Sequence, residues 1–216
     1  MDNENDDAQA IRLMNKAIAK ARRYADFFDW PLDRSSDLQE WGVLNSFVES
    51  LEQTSALFFS NHRVRGNPND PPDCDAVSAD GQRLAIEITE LVDRPAIENL
   101  KRAEGCEGGF PYRYRWADWP REKFLMCVTE RLQAKASRFP RLIDAPYPGG
   151  YVVLIHTDEP LLPRRTVADY LSGYQFQMPP QVDRAFLLLS YDPAVKHCPC
   201  FELSFKTVAR KDSGNR

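Results

Sequence analysis

Residues 80–93, "DGQRLAIEITELVD", constrain this chain more than any other stretch. Ala79, Asp80 and Gly81 form a turn signal, and Arg83 to Leu91 reads as a strand by its alternation and β-branched content. Side chains of a strand alternate between faces, so Leu84, Ile86 and Ile88 share one side while Ala85, Glu87 and Thr89 share the other. Both sides are apolar enough for a central, two-sided strand, yet Glu87 stands in the middle of it. A carboxylate taken out of water is costly unless something meets it. The chain must therefore fold into a layered sheet that brings a partner to Glu87.

The flanking segments supply the layers. Residues 8–28 carry apolar side chains at Ile11, Met14, Ile18, Ala21 and Ala25, a helical period that Trp30-Pro31 ends. A second helix opens at the cap candidates Ser36 and Asp37 and is expected to run to Phe59. Residues 61–72 read as loop, and a first hairpin strand follows near Asp73 to Val77. Residues 94–118 are irregular. Pro120 to Phe139 is helical, with Pro120 suited to the first turn. Then come a strand in "GGYVVLIHT", a short helix in "RTVADYLSGY", and strands in "RAFLLLSYD" and "CFELSFKTV". This order predicts an α/β fold with a mixed sheet: one domain over 31–208, a helical extension over 1–30 and a disordered tail over 209–216.

Charge and cysteine usage narrow the partners. A net charge of −4 gives no global positive field, so nucleic acid would have to bind through a local patch. No apolar run approaches the roughly 18 residues of a membrane span, and the acidic start MDNENDDAQA is unlike a signal peptide. Five cysteines without framework spacing suit a reducing compartment, so the expected location is cytoplasmic. The first helix has too few bulky apolar residues to lie on a membrane and reads as a packing or homodimer-forming helix. "HCPC" at His197 to Cys200 lacks the second half of a zinc site, the glycine pairs lack the Lys-Ser/Thr ending of a P-loop, and the three histidines have no triad or metal-helix spacing.

The hairpin register decides what joins Glu87. A three-residue loop, Ala79 to Gly81, pairs Ser78 with Gln82 and, counting back, Asp73 with Glu87, which places Asp73, Asp75, Glu87 and Thr89 on one face. A two-residue loop would move the aspartates to the Ile86 side. In the first case the crowded carboxylates repel unless a cation or protons neutralise them. Mg²⁺ or Mn²⁺, which take oxygen ligands, are the natural cofactors, with Asp73 or Asp75 as the ligand beside Glu87.

"PD" at Pro72-Asp73, a hairpin, and "IEIT" at Ile86 to Thr89 together resemble the PD-(D/E)xK nuclease superfamily. The resemblance implies a restriction-endonuclease-like mixed sheet flanked by helices, here with an additional N-terminal helix, and a metal held by Asp73 and Glu87. Thr89 stands where that family has a lysine, and threonine carries no positive charge. Members of the superfamily often add an acid from the helix before the hairpin. At about 100° per residue, Glu40 lies within roughly 40° of Leu44, Phe47 and Leu51, so it leans inward as a third metal ligand. Relatives also move the lysine to a neighbouring helix; by the same increment Lys135 lies within roughly 60° of Phe124, Val128, Leu132 and Phe139.

The expected activity is metal-dependent hydrolysis of phosphodiester bonds in DNA or RNA, with Glu40, Asp73, Glu87 and Lys135 at the catalytic site. Arg63, Arg65, Arg113, Arg115 and Arg121 are the candidate substrate contacts, the last three interleaved with Tyr112, Tyr114, Trp116 and Trp119. The rival expectation is a nuclease-fold protein that has lost turnover and serves as a binding or regulatory module.

Overall fold

A computed structural model describes residues 36–66, 68–95 and 118–206 of the chain. Six strands form one sheet in the order β1-β2-β3-β4-β5-β6. They are β1 Phe59–Val64, β2 Cys74–Ser78, β3 Arg83–Glu90, β4 Tyr151–Thr157, β5 Arg184–Leu189 and β6 Cys200–Glu202. Strands β3, β4 and β5 run parallel, while β1, β2 and β6 join antiparallel, so the sheet is mixed and the class is α/β. Parallel neighbours need crossover connections. Helix α2, Arg121–Ala136, lies between β3 and β4, and α3, Arg164–Leu171, between β4 and β5; α1, Ser36–Gln53, precedes the sheet.

The alternation of β3 now has two destinations. Leu84, Ile86 and Ile88 join Val152, Leu154, Phe186 and Leu188 in a core covered by Val43, Leu44, Phe47 and Leu51 of α1. Ala85 joins Tyr151, Val153, Ile155, Ala185 and Leu187 in a second core, covered by Phe124, Val128 and Leu132 of α2 and Val167 of α3. Every residue of β4 is buried, as expected of a parallel strand with helices on both faces. Each fully buried aliphatic or phenyl side chain contributes about 1.5–3 kcal/mol by leaving water. Glu87 points to the α2 side.

The hairpin has the three-residue loop. The Ser78 amide donates to Gln82 O at 2.8 Å, the Gly81 amide to Ser78 O at 3.0 Å, and Gly81 takes φ +74°. Cys74 then faces Ile86 and Asp75 faces Ala85; one step further back, Asp73 lies opposite Glu87. "PGGY" docks β4 beside β3. A Cβ on Gly149 would sit 2.8 Å from the carbonyl oxygens of both Gln82 and Arg83, so only glycine lets the turn approach this closely.

Three expectations are corrected. Helix α1 ends at Gln53, short of Phe59: the Thr54 hydroxyl donates to Ser50 O at 3.0 Å, Ser55 turns to φ 55°, and Phe59 enters the sheet instead. Residues 61–64, read as loop, belong to edge strand β1. Their polar content hid the strand, since an edge has one side in water. The last strand is also shorter than "CFELSFKTV" implied, three residues, with Phe205 bridging separately to Phe176. The expected helix at 8–28 and the 209–216 tail lie outside the described residues. No helix among the described residues is long and apolar enough to cross a membrane.

Candidate functional site

Glu87 is fully buried, and its partners come from α2 and the turn after it. The Lys135 ammonium donates to Glu87 Oε2 at 2.6 Å and to Asp73 Oδ2 at 2.9 Å. Arg138 Nη1 donates to the same Glu87 oxygen at 3.0 Å and lies 3.6 Å from Asp73 Oδ1; its Nη2 is 3.5 Å from Asp70 Oδ2. Asp70, Asp73 and Glu87 each bring a carboxylate oxygen to within 4.8 Å of the others.

Local structure fixes each tip. Asp73 Oδ2 also accepts the Ile88 amide at 2.5 Å, which locks the carboxylate against β3. Lys135 lies in the last turn of α2, and its carbonyl accepts the Tyr151 hydroxyl at 2.7 Å, tying that turn to the start of β4. Buried Phe124, Val128 and Leu132 hold the rest of the helix on the sheet.

The charges do not balance. Three carboxylates, Asp70, Asp73 and Glu87, face two cations, Lys135 and Arg138, which leaves a surplus of one negative charge when all are ionised. Glu87 Oε1 is buried without a hydrogen-bond partner among the described residues. Burial, and then the Asp73 charge, raise the Glu87 pKa against the pull of Lys135 and Arg138. Burial followed by Asp73 raises Asp70 as well. An all-oxygen donor set with one buried, unmatched oxygen fits a hard divalent cation and offers no soft ligand for zinc.

The remaining sequence candidates are distributed as follows. Asp75 shares the face of Asp73 but turns to β1, where Arg63 forks onto it at 2.7 and 3.0 Å and Arg65 lies 3.5 Å away. Arg63 thereby acts as a structural counterion. Arg65 is further held by Tyr147 at 2.8 Å and Asp144 at 2.7 Å. Arg121 donates to Tyr170 O at 3.1 Å and stacks over Tyr174. Glu40 is half-buried on α1, the helix that covers the opposite core, where its charge bears on the Cys74 thiol. Asp70, rather than Glu40, completes the acid group. Thr89 is half-buried on the Glu87 face. Arg113 and Arg115 lie outside the described residues.

Asp70 and Arg138 are the members that sequence reasoning missed. Arg138 was within reach: three residues past Lys135 at about 100° each, it returns to roughly the same side. Asp70 gave no such signal, because it sits in the turn ahead of β2, where no periodicity reports direction. No protein-family model, curated protein or solved structure matches the chain.

Proposed function

We propose that the chain is a metal-dependent nuclease of the restriction-endonuclease-like class, with its centre at Asp70, Asp73, Glu87 and Lys135. The observation that carries the reading is the meeting of Lys135 with Asp73 and Glu87 beside a buried, unmatched glutamate oxygen. A hairpin bearing the acids, followed by a crossover helix bearing the lysine and then a parallel strand, supports the finer fold class.

When bound, Mg²⁺ or Mn²⁺ supplies a Lewis acid and a water of lowered pKa. Asp73 and Glu87 would hold the ion, with Asp70 contributing from the more exposed side. Lys135 spans both buried carboxylates, so its ammonium would lie beside an ion that they held. There it is positioned to meet the charge that develops on a phosphoryl oxygen. Thr89 offers only a neutral hydroxyl at the place of the family lysine.

A binding module without turnover is the second reading. It is favoured by Lys135 and Arg138, which already cancel two of the three acid charges without a metal. Mn²⁺ titration calorimetry on the full chain and cleavage assays on labelled DNA and RNA separate the two. The nuclease reading requires Mn²⁺ binding and Mg²⁺- or Mn²⁺-dependent cleavage, both lost in Glu87→Gln and Asp73→Asn. Nucleic-acid binding that is indifferent to metal, with no product, establishes the module instead.

A further inference from the structure

Of the three cations of α2 outside the acid group, Arg121 donates to Tyr170 O and Lys123 pairs with Asp93, whereas Arg131 has a buried Nε without a hydrogen-bond partner among the described residues. Arg131 lies one helical turn before Lys135 on the same side of the helix, about 6 Å along the axis. The helix runs antiparallel to β3: Lys135 meets Glu87, whereas Lys123, nearer the start of α2, pairs with Asp93 beyond the end of β3. Arg131 therefore falls along the stretch of β3 past Glu87, where the charge of Glu90 acts on it.

Arg94, just beyond β3, adds a second positive charge to this neighbourhood. Burial and then Arg94 lower the Arg131 pKa, and the opposing effects of Cys127, Glu130 and Glu90 are smaller. A guanidinium that is partly desolvated, crowded by another and unmatched at Nε is stabilised by an oxyanion that takes its accessible N–H donors. Beyond Glu90 and Glu130, whose charges already act on it, a phosphodiester laid across the acid group would supply such an oxyanion.

We propose that Arg131, with Arg94 beside it, is the phosphate clamp of the site and holds a backbone phosphate of a nucleic-acid strand next to the one over Asp73 and Glu87. The proposal rests on the nuclease reading for its substrate class, but it assigns a contact that the acid group does not contain.

The test uses the full chain and fluorescein-labelled single-stranded and duplex oligonucleotides, with binding followed by fluorescence anisotropy in Ca²⁺ across a salt series. Mn²⁺ affinity is measured separately without nucleic acid. Arg131→Gln is expected to weaken oligonucleotide binding about tenfold, the loss of one charged hydrogen-bonding contact. It should also flatten the slope of log K against log salt by about one, with Mn²⁺ affinity retained. Arg131→Lys should recover the slope and part of the affinity. Arg94→Gln, at an exposed position that does not threaten folding, should show a smaller loss of the same kind. Unchanged affinity and slope in both glutamine variants, or no oligonucleotide binding by the native chain, overturns the clamp. Loss of the slope in a chain that binds no Mn²⁺ upholds the clamp and removes the nuclease reading instead.

Discussion

Asp73 and Asp75 leave the same face of the hairpin two residues apart, both nearly buried, and arrive in opposite electrostatic settings. Asp75 turns outward to β1, where the Arg63 fork, acting through its hydrogen bonds first, pulls the carboxylate pKa down. Asp73 turns inward to Glu87 and shares one lysine with it, while Glu87 is pushed the other way by burial and by Asp73 itself. Burial alone therefore does not mark a site. The difference lies in charge balance: one aspartate is satisfied, and the other belongs to a group with a charge to spare.

The largest effect that would break this contrast is on Lys135. Removing one partner of a buried ion pair typically costs about 3–5 kcal/mol. Lys135→Met should thus lower unfolding stability in urea by roughly that much at neutral pH. Millimolar Mn²⁺ should restore part of the loss, because it replaces the missing positive charge. A loss that Mn²⁺ leaves untouched would make the lysine purely structural.

Next in size is metal affinity. Glu87→Gln should weaken Mn²⁺ binding by more than the roughly 10–100-fold that loss of an outer-shell partner costs, read by calorimetry. The parallel change Asp75→Asn should leave Mn²⁺ affinity unchanged. Equal losses in the two variants would erase the distinction between the aspartates.

The smallest effect is the pH dependence, and its sign differs between the two regions. Asp75 has a depressed folded pKa, so its contribution is present above the ordinary carboxylate range and fades as pH falls through the depressed value. Glu87 and Asp70 have raised folded pKa values. Between the ordinary carboxylate pKa and the raised ones, the native state holds protons that the unfolded state has released. Their contribution is complete below the ordinary range and is lost as pH rises through the raised values. Thermal melts across a pH series should show Glu87→Gln removing part of the loss on the high side and Asp75→Asn removing part of the loss on the acid side.

Much of the frame was legible because it depends on local periodicity. The alternation of β3 and the turn at Asp80-Gly81 narrowed the hairpin to two registers, of which the structure has the three-residue loop that sets Asp73 opposite Glu87, and the helical phase of α2 turned Lys135 inward. The same reasoning overextended α1 and missed β1, since Phe58 and Phe59 suit a helix as well as a strand and an edge strand such as "FSNHRV" has weak alternation. Glu40 shows a different limit. Its helical phase indicates that it leans toward a core, but not which side of the sheet that core lies on, and α1 covers the face opposite Glu87.

The sequence by itself determined which residues share a face, because strand and helix periods are properties of the backbone. Only the tertiary structure decided which faces meet: that Asp70 swings in from a turn, that Arg63 and Arg65 neutralise Asp75, and that Arg138 joins Lys135 over Glu87. These contacts join segments far apart in the chain, and their electrostatics depend on the charges that packing brings within a few ångströms, which no local pattern records.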